Sequence, residues 1–167
     1  NLLFGYSFAD EMRRHIITLW NTYSFFVTYA NLDNYDPSIT VDINTLTKSD
    51  RWILSKINQF IRSARVNYEK YQIYQLVSDA SQLLDNISNW YVRRNRRRFW
   101  KSENDSDKSA AYFTLYTVLM DFIKVMAPVI PFITENIYRN LSAPLPNSEL
   151  SIHLCKFPIS NNSFINE

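Results

Sequence analysis

The chain has 167 residues, 46% of them hydrophobic and 20% charged, with 18 basic against 16 acidic side chains and a formal charge of +2. That is one domain's worth of chain, long enough to close a core, and the balance excludes a disordered or collagen-like sequence. A lone glycine, Gly5, excludes the glycine-rich turns that cradle phosphate in dinucleotide and P-loop folds, and it argues against an all-β fold with glycine-dependent hairpins.

Taken in chain order, the apolar pattern predicts helices nearly throughout. Ile16, Leu19, Trp20, Tyr23 and Val27 recur at spacings of three and four and mark one face of a first helix over residues 8–30. Residues 31–47 break that pattern and read as a loop. Thr47 and Asp50 have the spacing of a capping box opening a second helix, lined by Ile53, Ile57, Phe60, Ile61 and Ala64. A third helix carries Leu76, Ala80, Leu83, Leu84, Ile87, Trp90 and Tyr91 and runs on into a basic stretch. The polar connection over 102–107 ends in residues suited to cap a fourth helix, which buries Ala111, Leu115, Val118, Leu119, Phe122 and Met126. Pro128 and Pro131 end it and start a short fifth helix over 132–141, with Phe132, Ile133, Ile137 and Tyr138 inward. The expected fold is all-α, about five helices in a domain over 1–142. A connector over 143–167 follows, with one extended run over 151–157, leading towards a further segment of a parent protein.

Charge is unevenly placed. Six basic residues and no acid lie between Arg93 and Lys101, so the remaining twelve bases face 16 acids and the rest of the chain is net −4. A concentrated positive stretch on an acidic body is a candidate anion site, with nucleic acid the candidate polyanion. At about 100° per residue, Arg94, Arg97, Arg98 and Lys101 project to the same side as Leu76, Leu83, Ile87 and Trp90. Two readings are open. The helix end presents cations interleaved with Trp90, Tyr91, Phe99 and Trp100 to phosphates and unstacked bases. Alternatively, some arginines fold back onto acids such as Asp79, Asp85 or Asp107, since charges on a buried face must be paired. Trp90, continuing a core stripe, is either packing or a stacking platform.

Cys155 stands alone and His15 and His153 are far apart, so neither a disulfide within the chain nor a zinc constellation is expected, and the composition reads as cytoplasmic. His15, on the first predicted helix, reads as a surface or satisfied core residue. No apolar run reaches membrane-spanning length, and a chain opening on Asn1 rather than Met suggests an excised fragment.

The stretch Asn89-Trp90-Tyr91-Val92-Arg93-Arg94-Asn95-Arg96-Arg97-Arg98-Phe99-Trp100 closely resembles the arginine-rich signature of the anticodon-binding domain of isoleucyl-tRNA synthetases. Leu19-Trp20-Asn21-Thr22-Tyr23, Asp50-Arg51-Trp52-Ile53-Leu54-Ser55-Lys56, Asp107-Lys108, and Ala127-Pro128 with Pro131-Phe132 and Glu135 agree in order, as does Ser151-Ile152-His153-Leu154. Asn95 stands where the family usually has Ser, and Asn136 replaces the second Glu of a common pair. Valyl- and leucyl-type synthetases share the architecture but lack this dense arginine run. The resemblance implies a helix bundle gripping the anticodon stem and loop of isoleucine tRNA. The catalytic domain of the parent, using ATP with magnesium and often zinc, is absent from this chain, so no catalytic site and no cofactor are expected here. It further implies reading residues at Asn21 and Trp90. With the basic stretch and its aromatics, the tRNA-binding expectation comprises Asn21, Trp90, Arg93, Arg94, Arg97, Arg98, Trp100 and Lys101. The expected partners are that tRNA and the remaining domains of the synthetase, with the chain itself monomeric and off the membrane. Two alternatives stay open: the same domain of a valyl- or leucyl-type synthetase, or a protein-interaction bundle, which would bind a partner helix through an apolar groove, insensitively to salt and without RNA affinity.

Overall fold

A computed structural model describes residues 5–101, 103 and 105–165. Ser102 and Asn104 of the polar connection, and the first four residues, lie outside the described residues. Among the described residues the chain is all helix, turn and coil, without a strand. Five helical rods form it: α1 (Tyr6–Leu32), α2 (Lys48–Glu69), a composite third rod, α5 (Ser106–Met126) and α6 (Pro131–Ser142). The third rod consists of α3 (Ile73–Asp85), a π-helical segment over Asn86–Val92, and α4 (Arg93–Trp100). Its backbone stays in the right-handed helical region across both junctions, at Asn86 and at Arg93.

Local chemistry sets the ends of these rods. Thr47 and Asp50 form the expected capping box, each side chain taking up the other's backbone N–H at the start of α2. Asp105 caps α5 by accepting from the Lys108 N–H at 2.8 Å, and Pro131 opens α6 where its missing donor costs nothing. Two helices end in left-handed residues that are not glycine: Asn34 after α1 (φ 52°) and Tyr71 after α2 (φ 56°). In both, the next N–H reaches back to close the end, Tyr35 to the Ala30 carbonyl and Gln72 to that of Asn67, each at 2.8 Å.

α5 is the central helix, packed chiefly on α2 and also on α1, α4 and α6. It buries Ala110, Tyr112 and Met120 as well as its expected face, so it is apolar nearly all round. α2 turns Ile53, Ile57, Phe60, Ile61 and Ala64 inward as expected. Each Ile or Phe side chain so removed from water contributes about 1.5–3 kcal/mol. No helix among the described residues is long and apolar enough to cross a membrane.

Four expectations are corrected. In α1 the buried stripe is Leu19, Thr22, Tyr23, Phe26 and Ala30, while Ile16 and Trp20 stand at its exposed edge. In α6, Phe132 is 90% exposed; at 100° per residue it lies opposite the face shared by Thr134, Ile137, Tyr138 and Leu141. The run over 151–157 is no strand but a 3₁₀ turn, Ile152–Leu154, tied down where Glu135 accepts from the Ile152 N–H and the Ser151 hydroxyl at 2.9 Å. The tail then lies along the bundle, with Phe157 edge-on to Tyr68 and the Asn161 N–H donating to Asn58 Oδ1 at 2.6 Å. The fourth correction is to the third rod, and it governs the site.

Candidate nucleic-acid interface

In the π segment the hydrogen-bonded turn holds more residues than an α turn, so the inward face moves on by about one position. The buried line runs Leu83, Leu84, Ile87, Tyr91, Val92, Asn95, Phe99, rather than through Trp90, Arg94 and Arg97. Trp90 is therefore 55% exposed and Tyr91 1%; of the two aromatics, Tyr91 is the core residue. The expected shared face of Ile87, Trp90, Arg94 and Arg97 does not form.

The same shift divides the basic stretch. Arg98 turns inward, and its guanidinium grips the buried Asp50 with two hydrogen bonds, Nη1 to Oδ1 at 2.7 Å and Nη2 to Oδ2 at 2.9 Å. Nη2 also donates to the Asp107 carbonyl at 2.9 Å, and Nε lies 2.8 Å from Asp107 Oδ1. The Tyr91 hydroxyl donates to Asp50 Oδ1 at 2.6 Å, and the Thr47 hydroxyl to Oδ2 at 2.7 Å. Burial pushes the Asp50 carboxyl up, but these donors outweigh it and hold it below the usual carboxylate range. Burial, reinforced by Asp50, raises the Tyr91 phenol well above its ordinary value. Asn95 sits beside this cluster, accepting from Ser49 at 3.1 Å and donating to the Tyr91 carbonyl at 2.8 Å. Its carboxamide spans both contacts, one as acceptor and one as donor.

Lys101 is also engaged, with Nζ 2.7 Å from Asp105 and 2.9 Å from Asp107. Its carbonyl accepts from the buried Lys108 at 2.8 Å, and Lys108 Nζ lies 2.6 Å from Asp33. The fold-back expected for some arginines is thus observed at Arg98, and Lys101, for which it was not expected, is paired as well. Asp107 is among the acids anticipated; Asp50, the main partner, is not. Its signal was available, because a capping-box carboxylate held at the head of a helix has oxygen lone pairs to spare.

Arg93, Arg94, Arg96 and Arg97 are exposed, and none makes an ion pair among the described residues. Around α4, Arg93, Arg96, Arg97 and Trp100 fall within about 100° of one another on the outer side. Trp100 is 54% exposed, its ring 6.5 Å from that of Tyr29. Arg94 lies over the Trp90 indole at 5.5 Å and Arg96 over Phe25 at 6.0 Å, which keeps guanidinium planes and rings together at the surface. Arg96, which is not in the set expected from the sequence, is exposed like its neighbours in the run. Asn21 is exposed, without a side-chain hydrogen bond among the described residues. α1, which carries it, packs against the π segment that carries Trp90.

Four guanidinium groups without an ion pair among the described residues and two half-exposed indoles on one helix end can neutralise phosphates and stack on bases. The profile of the family described as the anticodon-binding domain of tRNA ligase matches residues 50–167. The chain is 45% identical over 160 residues to the isoleucine–tRNA ligase of Dehalococcoides mccartyi (strain CBDB1), covering 95% of this chain and 16% of that protein. It is 44% identical over 150 residues to the isoleucine–tRNA ligase of Clostridium novyi (strain NT), covering 89% of this chain and 14% of the relative. With that of Clostridium acetobutylicum it shares 42% over 158 residues, covering 94% and 15%. The chain therefore spans about 14–16% of the length of these curated relatives. An all-helical bundle with an outward arginine face, matched by that profile over most of its length, belongs to the anticodon-binding domain family of tRNA ligases.

Proposed function

We propose that this chain is the anticodon-reading part of an isoleucine–tRNA ligase, gripping the anticodon stem and loop of isoleucine tRNA while the remainder of the ligase carries out the ATP-dependent chemistry in the cytoplasm. The observation that carries this reading is the outward face of α4, where Arg93, Arg94, Arg96 and Arg97 stand without ion pairs among the described residues beside Trp90 and Trp100. Unpaired cations suit the phosphates of an A-form stem, and exposed indoles suit the splayed bases of a loop. The proposed contact set is Asn21, Trp90, Arg93, Arg94, Arg97 and Trp100, joined by Arg96. Arg98 and Lys101 leave it, because their charges are already matched by Asp50, Asp105 and Asp107. ATP, magnesium and zinc belong on this reading to the rest of the ligase. The chain itself acts as a monomer joined to those other domains.

One observation favours an apolar partner instead: a cavity of 210 Å³ between α1, α3 and α5, walled by Met12, Ile16, Val77, Leu84, Phe122 and Ile130. A titration over a range of salt decides between the two. Isoleucine tRNA is expected to bind more tightly than a tRNA of unrelated anticodon. Replacing Arg93, Arg94 and Arg97 together by Ala is expected to weaken both and to flatten the log-log salt dependence by about 0.7–0.9 for each phosphate no longer neutralised, with melting unchanged. Salt-insensitive behaviour, or equal binding by the triple variant, would overturn the RNA reading.

A further inference from the structure

The π segment that turns Trp90 outward also leaves a cleft of 750 Å³ between the first turns of α2 and the third rod. Its volume falls in the range of roughly 300–1,000 Å³ typical of small-ligand sites. Trp52, half-buried against the core, lines it from α2, and Trp90 lines it from the π segment. The two indoles make no ring contact with each other among the described residues, and Arg94 lies over the Trp90 ring at 5.5 Å. Lys48 and Arg94 contribute cations to the lining, neither in an ion pair among the described residues, and no carboxylate lines the cleft. The polar groups differ in what they have left to offer. Asn95 is taken up by Ser49, Arg98 and Tyr91. Asn86, partly exposed at the cleft wall, has a carboxamide with no hydrogen bond among the described residues.

Two aromatic walls, one carboxamide without a hydrogen bond and two cations without an ion pair among the described residues, Arg94 lying beside the Trp90 ring, are the complement of a flat ring bearing donors and acceptors at its edge and a negative charge at its base. We propose that this cleft takes a single unstacked nucleotide of a single-stranded RNA loop. The base lies against Trp52 and Trp90 and offers its edge to Asn86, and its phosphate lies near Lys48 and Arg94. This rests on the RNA reading above and adds Lys48, Trp52 and Asn86 to it. Arg94 joins the two parts, since it both lines the cleft and belongs to the exposed arginine run. The loop would then be read on two sides of one helix end, by phosphate contacts outside and by one extruded base within.

The test is a set of stem–loop RNAs bearing the isoleucine anticodon, intact or with one loop nucleotide at a time made abasic, bound to the 167-residue chain and to Trp52→Ala, Lys48→Ala and Asn86→Ala. With the unaltered chain, one loop position is expected to cost about five- to 150-fold in affinity when its base is removed, the range of a missing aromatic stack. In Trp52→Ala that cost shrinks towards onefold while the costs at other positions stand. Asn86→Ala, which breaks no internal hydrogen bond, shrinks it in part and gives the answer if Trp52→Ala fails to fold. If the intact RNA binds with salt dependence but every abasic cost is the same in all variants, the cleft assignment is overturned and the RNA reading stands. If no stem–loop binds the unaltered chain, both fall.

Discussion

Arg98 and Arg97 are neighbours in sequence with identical side chains, yet they belong to two different regions of the molecule. Arg98 lies within the capping-box cluster of α2, gripping Asp50 from both terminal nitrogens and touching Asp107. Arg97 stands on the outer side of α4 without an ion pair among the described residues. The difference teaches that a dense basic run is not one binding surface. Burial imposes a heavy desolvation cost that only a matched carboxylate offsets, so an inward arginine is committed to the fold. Those left outside are available to a ligand. The same division holds for the indoles and phenols alongside: Tyr91 is committed to Asp50, whereas Trp90 carries Arg94 at the surface.

The most direct way to break the comparison is Arg98→Ala. Removing one partner leaves Asp50 buried with its charge uncompensated, and a loss of about 3–5 kcal/mol is expected in denaturant unfolding, against a change within about 0.5 kcal/mol for Arg97→Ala. The pH dependence carries a sign. Asp50 is held below its ordinary value, so its contribution is present above the usual carboxylate range and is lost as pH falls through the lowered value. The gap between wild type and Arg98→Ala is therefore widest near neutrality and narrows in acid. A gap that stays constant down to about pH 2, below the ordinary carboxylate range, would show that Arg98 stabilises by packing alone.

Trp90→Ala addresses the exposed side of the division. With the ring 55% exposed, melting should move little, while binding of isoleucine tRNA weakens by roughly 1–3 kcal/mol with an unchanged salt slope. A loss of folding stability as large as that of Arg98→Ala would place Trp90 in the core after all.

Asp121 sharpens the contrast from another direction, as a half-buried carboxyl with no ion pair among the described residues. Burial raises it to about 6, with only Lys124 opposing. A folded value above the unfolded one means that its contribution is fully present below the ordinary carboxylate value and is lost as pH rises through about 6. Asp121→Asn is expected to stabilise the chain near neutral pH by on the order of 1–3 kcal/mol, with no gain in acid below the ordinary carboxylate value; melting curves under the two conditions check it. Among the paired groups, the smallest effect is expected from Lys101→Ala. Its ion pairs with Asp105 and Asp107 are partly exposed, at 28% for the lysine side chain, so the loss should stay below about 1 kcal/mol and fade in high salt. A loss rivalling that of Arg98→Ala would mean that the Lys101 and Arg98 pairs act as one network.

Much of this protein is determined by local rules that the sequence displays unaided. Thr47 with Asp50, Asp105 before Lys108, and Pro131 at a helix start act within one turn of chain, and the three-and-four spacing of Ile53, Ile57, Phe60 and Ile61 needs only that a helix bury one face. Such signals place the rods, and the order of residues from Asn89 to Trp100 carries the family resemblance. Tertiary structure decided what periodicity cannot express. A strict period of about 3.6 residues carried the core stripe through Trp90 to Arg94, and one π segment moved it to Tyr91, Asn95 and Phe99. The shifted face is fixed by contacts far along the chain: the Tyr91 hydroxyl of the π segment on Asp50, 41 residues away, and Arg98 of α4 on the same carboxylate, 48 away. Phe132 points outward because the rest of α6 has its partners on the other side, and the tail turns as 3₁₀ because Glu135 accepts its N–H. Hydrophobic pattern specifies that a face is buried; only the packed partners, through the pairing that a buried charge or hydroxyl requires, decide which residues form that face and which arginines remain free.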